Sequence, residues 1–231
     1  MSQANFDIKI DNLQKASTKN KVDIVFVVDI SGSMEPVIEG VKENINKFVN
    51  SLKDNANNPI DYRLGLVLEN CETFYIKDFT TSIDEFKNAL NQFSATEYDE
   101  FTLPAIDMAA DFPWDENRHK FIIIFTDEDV ETGCYPEVQL EKYDMLIDKL
   151  NSLHIKLYYL GIHSDNYEKL KLVNDTYYEP HEDYNSVDFS ELLIKVAKSV
   201  SQSSNTNLQK TKSSYPKDIY NVKKFVNIKK I

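Results

Sequence analysis

Asp29, Ser31 and Ser33 stand at alternate positions in residues 22–34, which read VDIVFVVDISGSM. A carboxylate followed by two hydroxyls at that spacing aims three oxygens at one point. Hard oxygen donors so arranged suit a small divalent cation. Other chemistry finds little support in the chain. Neither a G-x-S-x-G nucleophile elbow nor a phosphate-binding glycine loop occurs. His119, His154, His163 and His181 lack the i, i+3 or i, i+4 pairing of a metal-binding helix face. Cys71 and Cys134 form no C-x-x-C pair and imply no disulfide framework; Cys134, in a polar loop, reads as a free thiol.

The elements that must position these oxygens alternate along the chain. Residues 24–28 are continuously apolar and stop at Asp29, and Pro36 suits the first turn of a following helix. Further strand-like runs cover 62–68, 73–79, 120–125 and 155–162. Three of the five runs are almost continuously apolar, which fits strands covered on both faces of a parallel sheet. Val37, Val41, Ile45, Phe48 and Leu52 recur at helical spacing, as do Ile83, Phe86, Leu90 and Phe93. Tyr143, Leu146, Ile147 and Leu150 make a third stripe; Phe189, Leu192, Leu193, Val196 and Val200 make the last. Ser82, three residues before Glu85, signals a helix start. The alternation predicts a doubly wound α/β fold, mostly parallel, with helices on both faces. Only residues 69–72 separate the second and third runs, which predicts one antiparallel edge strand, because a parallel crossover needs about a dozen residues. Ligands of such sheets bind at the carboxyl ends of the strands, where Asp29 falls. Tyr158, Tyr159, Tyr177 and Tyr178 read as aromatic strand filling.

At 231 residues the chain predicts one domain with tails: an N-terminal extension over 1–20, the domain over 21–200, and a basic, flexible C-terminal tail over 201–231. The net charge is −12, yet the tail carries Lys210, Lys212, Lys217, Lys223, Lys224, Lys229 and Lys230 against the single acid Asp218. The body is therefore strongly acidic, which argues against nucleic-acid binding by the folded part. No apolar run approaches the ~20 residues that span a bilayer, so no membrane role is expected. Without a basic-then-apolar start, and with two cysteines, the chain reads as cytoplasmic.

The D-x-S-x-S pattern after a buried strand resembles the von Willebrand factor A, or integrin I, domain, and the likeness extends over roughly residues 22–200. In that family these residues open a metal-ion-dependent adhesion site, which here implies Asp29, Ser31 and Ser33 as ligands. A further loop, after the fourth strand, supplies an aspartate; Thr126-Asp127-Glu128 matches it and implies Asp127. The family's second loop carries a threonine after glycines, or an aspartate in many bacterial relatives. This chain has no glycine there, and aligning Ile106 and Ala109 puts Glu100 at the ligand position, with Asp99 and Thr102 as neighbouring candidates. A threonine two residues before Pro104 also suits a helix N-cap. Mg²⁺ is the expected ion, with Mn²⁺ or Ca²⁺ as substitutes. Three ionised carboxylates around a doubly charged ion leave the site one unit negative, so an acidic ligand meets repulsion. The resemblance implies a non-enzymatic, metal-dependent adaptor that binds another protein at or near the metal face, like free-standing cytosolic bacterial members. Two alternatives stand beside it: a phosphatase-like hydrolase using Asp29, which lacks the second acid that such chemistry needs because Ser31 stands there, and a metal-free structural adaptor of the same fold.

Overall fold

The computed structural model describes residues 20–96, 98–209 and 215–231. Seven strands are found among them: β1 (Asn20–Asp29), β2 (Ile60–Glu69), β3 (Thr73–Thr80), β4 (His119–Phe125), β5 (Ile155–Tyr159), β6 (Tyr177–Tyr178) and β7 (Asn227–Lys230). They form one sheet in the order β6-β5-β4-β1-β2-β3-β7. Its helices are α1 (Glu35–Asp54), α2 (Ile83–Leu90), α3 (Thr102–Ala110), α4 (Pro136–Glu141), α5 (Tyr143–Ser152), α6 (Asp165–Glu168) and α7 (Phe189–Ser203).

Strand β1 is central, pairing in parallel with β2 on one side and β4 on the other. That position explains its unbroken apolar run. Ile24, Phe26 and Val28 enter one core, with α1, α2 and α7; Val25 and Val27 enter the other, with α3 and α5. Each such side chain, fully buried, is worth about 1.5–3 kcal/mol. Pro36 lies in the first turn of α1, and the stripe Val37, Val41, Ile45, Phe48 and Leu52 is wholly buried. A Cβ on Gly40 would run into the Phe189 ring, so glycine lets α1 and α7 close on each other. Ser82 caps α2, its hydroxyl accepting from the Glu85 amide at 3.2 Å. Tyr158 and Tyr159 fill β5 and stack on Tyr177 and Tyr178 of β6.

As the short connection requires, β3 runs antiparallel to β2. It is not the edge, however. The expected flexible tail supplies β7, which lies outside β3 and pairs with it in parallel from Thr73↔Asn227 to Ile76↔Lys230. Ile219, Tyr220, Val222 and Val226 are buried against the α3–α5 face. Lys142 Nζ donates to the Ile219 carbonyl at 2.7 Å, and the Tyr220 hydroxyl donates to the Gln139 carbonyl at 3.0 Å. The lysines misled the composition reading because Lys223, Lys224, Lys229 and Lys230 all face solvent while Phe225, Val226 and Ile228 between them turn inward. Residues 205–209 are exposed; residues 210–214, with Lys210 and Lys212, and all of the N-terminal extension but Asn20 lie outside the described residues.

A second correction concerns the cysteines. Cys71 and Cys134 form a disulfide, with Cα atoms 6.0 Å apart and a sequence separation of 63. Spacing along the chain carries no sign of such a pair. The fold makes it, by bringing the β2–β3 turn against the loop after β4.

Candidate functional site

The carboxyl ends of β1, β2 and β4 lie side by side, and each ends at or beside an acid. Asp29 closes β1 and is fully buried; Glu69 closes β2, directly across from it in register, and is also fully buried. Asp127, half-buried, follows β4 by two residues. The turn after β1 folds back on its own carboxylate. The Ser31 amide donates to Asp29 Oδ1 at 2.6 Å, and the Ser31 hydroxyl donates to Asp29 Oδ2 at 3.1 Å. Ser31 and Ser33 hydroxyls lie 3.3 Å apart. Ser33 caps no helix: α1 takes Met34 as its N-cap, without a side-chain bond.

The second loop crosses above these strand ends as a strap tied at several points. Thr96 donates its amide to the Ile30 carbonyl at 2.7 Å and its hydroxyl to the same oxygen at 3.0 Å. Further on, the Cys71 amide donates to the Asp99 carbonyl and the Cys134 amide to the Glu100 carbonyl, both at 2.9 Å. A Cβ on Gly133 would stand 2.8 Å from the Glu100 carbonyl oxygen, so the third loop packs directly on the second. Of the three second-loop candidates, Asp99 is exposed on the rim, whereas Glu100 and Thr102 are buried. Thr102 does not cap α3. It is the helix's first residue, Phe101 being the N-cap, and its hydroxyl donates to Glu69 Oε1 at 2.7 Å. The Phe101 amide donates to Glu69 Oε2, also at 2.7 Å. Glu69 thus organises the end of the strap and the start of α3. Nothing in the local sequence marks it except that it ends a strand neighbouring β1.

Glu100 is different. It is 1% exposed, and neither of its carboxylate oxygens has a hydrogen-bond partner. Burial first, then the charge of Asp29, the Glu128 carboxylate beside it and Glu69 push its pKa up to about 11. Asp29 is also held well above the carboxylate range, by burial and then by Glu69, with Asp127 adding to the effect. Burial raises Glu69 to about 7 against the bonds from Phe101 and Thr102. For Asp127 burial again comes first, opposed by a hydrogen bond from Ser33 and assisted by Glu128. An unpaired ionised carboxylate in such surroundings costs several kcal/mol and binds either a proton or a cation. The donor set, carboxylates and hydroxyls, is the kind that hard divalent ions take. Among the described residues, though, no group of three or more His, Cys, Asp or Glu side chains converges as a ready-made metal cage. The hydroxyl of Ser31 is turned onto Asp29, so the oxygens satisfy each other where they can, and Glu100 is the one left over. His163 is exposed and its ring lies 4.0 Å from Glu168, away from this cluster of bonds.

A sheet of this order, with a carboxylate-and-hydroxyl turn at the end of its central strand, defines a class. The chain belongs to the von Willebrand factor type A domain family, whose model matches residues 23–199. No curated protein matches the chain. Solved structures similar to it include the SpRpn10 VWA domain, at 12% identity and a TM-score of 0.54, covering 74% of this chain and 93% of that one. BatB from Bacteroides thetaiotaomicron has 16% identity and a TM-score of 0.54, with 80% and 100% covered. An aerotolerance-related membrane protein from Bacteroides fragilis has 18% identity and a TM-score of 0.53, with 80% and 98% covered. At these identities the likeness is one of fold. Domains of this family are generally interaction modules and not enzymes. No helix among the described residues is long and apolar enough to cross a membrane.

Proposed function

We propose that this domain is a metal-dependent adaptor, binding another protein at or near the face where β1, β2 and β4 end. The observation that carries the reading is Glu100, a buried carboxylate with both oxygens unpartnered, near the buried Asp29, whose own turn carries the hydroxyls of Ser31 and Ser33. Asp29, Ser31, Ser33, Glu100 and Asp127 would hold the ion, and Mg²⁺ is the occupant best matched to few carboxylates and retained waters, with Mn²⁺ or Ca²⁺ as substitutes. When bound, the ion supplies positive charge to a cluster that otherwise needs protons. Three carboxylates leave little net attraction for an acidic partner, so the protein partner is held chiefly by the rim and not by a carboxylate donated to the metal. Asp29 has no second acid two residues on, as Ser31 stands there, and the phosphatase-like alternative has no observation in its favour. We place the domain in the cytoplasm as a free-standing bacterial member. In a reducing compartment a disulfide such as Cys71–Cys134 is transient and redox-sensing.

Thermal unfolding with and without cation tests the reading. A ligand that binds only the folded state at 100 times its Kd adds about 2.7 kcal/mol. Millimolar Mg²⁺ or Mn²⁺ should raise the Tm of the wild-type chain and leave Asp29→Ala and Glu100→Ala unmoved. An unchanged wild-type Tm, with no Mn²⁺ retained on equilibrium dialysis, would refute it.

A further inference from the structure

The disulfide does more than join two distant loops. Its two cysteines sit on either side of the strap that carries Glu100, and each holds the strap by its own backbone amide. Cys71 donates to the Asp99 carbonyl, and Cys134 to the next carbonyl, that of Glu100. Cys134 Sγ lies 3.1 Å from the same Glu100 oxygen. The strap's backbone at 99–100 is therefore clasped between the β2–β3 turn and the third loop, and the S–S bond closes the clasp. Below it, Asn70 binds the turn into place, its Oδ1 accepting from the Glu72 and Thr73 amides at 2.9 and 2.8 Å. Beyond it, Gln139 ties the third loop to α3, donating to the Cys134 carbonyl at 2.8 Å and accepting from the Leu103 amide at 3.1 Å. Both cysteines remain partly exposed, so a small thiol can reach them.

Something must hold Glu100 where it is, because its own side chain makes no bond that would. Two backbone hydrogen bonds of ordinary strength, in partly exposed loops, open on their own far more readily than a core ladder does. A covalent link between their donors removes that freedom.

We propose that Cys71–Cys134 is a redox-sensitive clasp that sets the position of Glu100, so that its reduction releases the strap and weakens cation binding at the site. In the step, a dithiol reductant attacks one sulfur as the thiolate and the S–S bond breaks to give a mixed disulfide. Its second thiolate then attacks the reductant's own sulfur in that mixed disulfide and releases the cysteine held there. Two electrons pass to the protein, Cys71 and Cys134 each end with a proton, and the reductant leaves as its own disulfide.

The cation part of the proposal rests on the metal-dependent reading above; the clasp itself does not, and the experiment separates them. The full chain is purified without reductant, and its thiols are counted by alkylation before and after treatment with dithiothreitol. Amide hydrogen exchange is then followed at Cys71 and Cys134, with Val25–Val27 of β1 as the internal reference. Opening the clasp is expected to speed exchange at both loop amides by at least tenfold and to leave β1 unchanged. Mn²⁺ titration of the two states should show Kd weakening by about tenfold on reduction, with Cys71→Ser/Cys134→Ser behaving as the reduced protein in either condition. Free thiols in the unreduced protein, or loop amides indifferent to thiol state, would overturn the clasp. Exchange that follows thiol state with no Mn²⁺ bound in either form would leave the clasp standing and reject the metal reading. Equal Mn²⁺ affinity in both forms would reject the coupling.

Discussion

The C-terminal segment offers the sharpest test of how this molecule is held together, through Tyr220. Its ring is 1% exposed, packed on the α3–α5 face, and its hydroxyl donates to the Gln139 carbonyl at 3.0 Å. Truncating a buried aromatic side chain to alanine costs about 3–5 kcal/mol, from lost transfer energy and the cavity left behind. The hydroxyl's bond adds about 1 kcal/mol. Tyr220→Ala should therefore lose about 4–6 kcal/mol, a large part of the ~5–15 kcal/mol that holds a typical domain. In urea, with m between about 1 and 3 kcal/mol/M and rising with size, the midpoint should fall by about 2 M. Tyr220→Phe should keep the packing and lose about 1 kcal/mol. Gln139 is also the residue that ties the third loop to α3, so part of the loss should appear as faster amide exchange at Leu103. If Tyr220→Ala shifts the midpoint no more than Tyr220→Phe does, the segment is a tail lying loosely on the surface, and the placement of β7 at the sheet edge is wrong with it.

Two further outcomes follow from the buried charges. Glu69 at about 7 and Glu100 at about 11 both lie above their ordinary 4.5, so the folded, cation-free chain binds more protons than the unfolded one. Their contribution to stability is complete below about pH 4.5 and is lost as pH rises through about 7 for Glu69 and on toward 11 for Glu100. The urea midpoint of chelator-treated protein should therefore fall between pH 5 and pH 8, and Glu100→Gln should flatten that fall; a wild-type midpoint that rises over this range contradicts the electrostatics described. Lys149, 1% exposed in its side chain, pairs with Asp107 at 2.5 Å and Asp111 at 2.8 Å. Lys149→Met leaves Asp107 buried without its cation and should cost about 3–5 kcal/mol in chemical denaturation. Adding Asp107→Asn should recover most of it, and a double variant no better than the single would place the loss in packing instead.

What the sequence discloses here depends on whether a residue's partner lies near it in the chain. The apolar run of β1, the helical stripes, the Ser82 cap and the short β2–β3 connection are local signals, and each corresponds to an observed element because local periodicity and turn length decide it. Asp29, Ser31 and Ser33 form their turn within five residues, so spacing alone brings them together. Glu69 escapes such reading because its importance comes from its neighbour across the sheet, Asp29, 40 positions away in register. Cys71 and Cys134 escape it for the same reason, over a separation of 63. The C-terminal lysines mislead in a different way. Averaged composition marks their segment as solvated, but an edge strand needs charge on its open side to resist further pairing, so exposed Lys229 and Lys230 beside half-buried Ile228 in β7 are what a protected edge requires. The elements of this fold were therefore legible one at a time. Its clasp, its edge and the acid behind its site are pairings between elements, and only the packed sheet brings their members together.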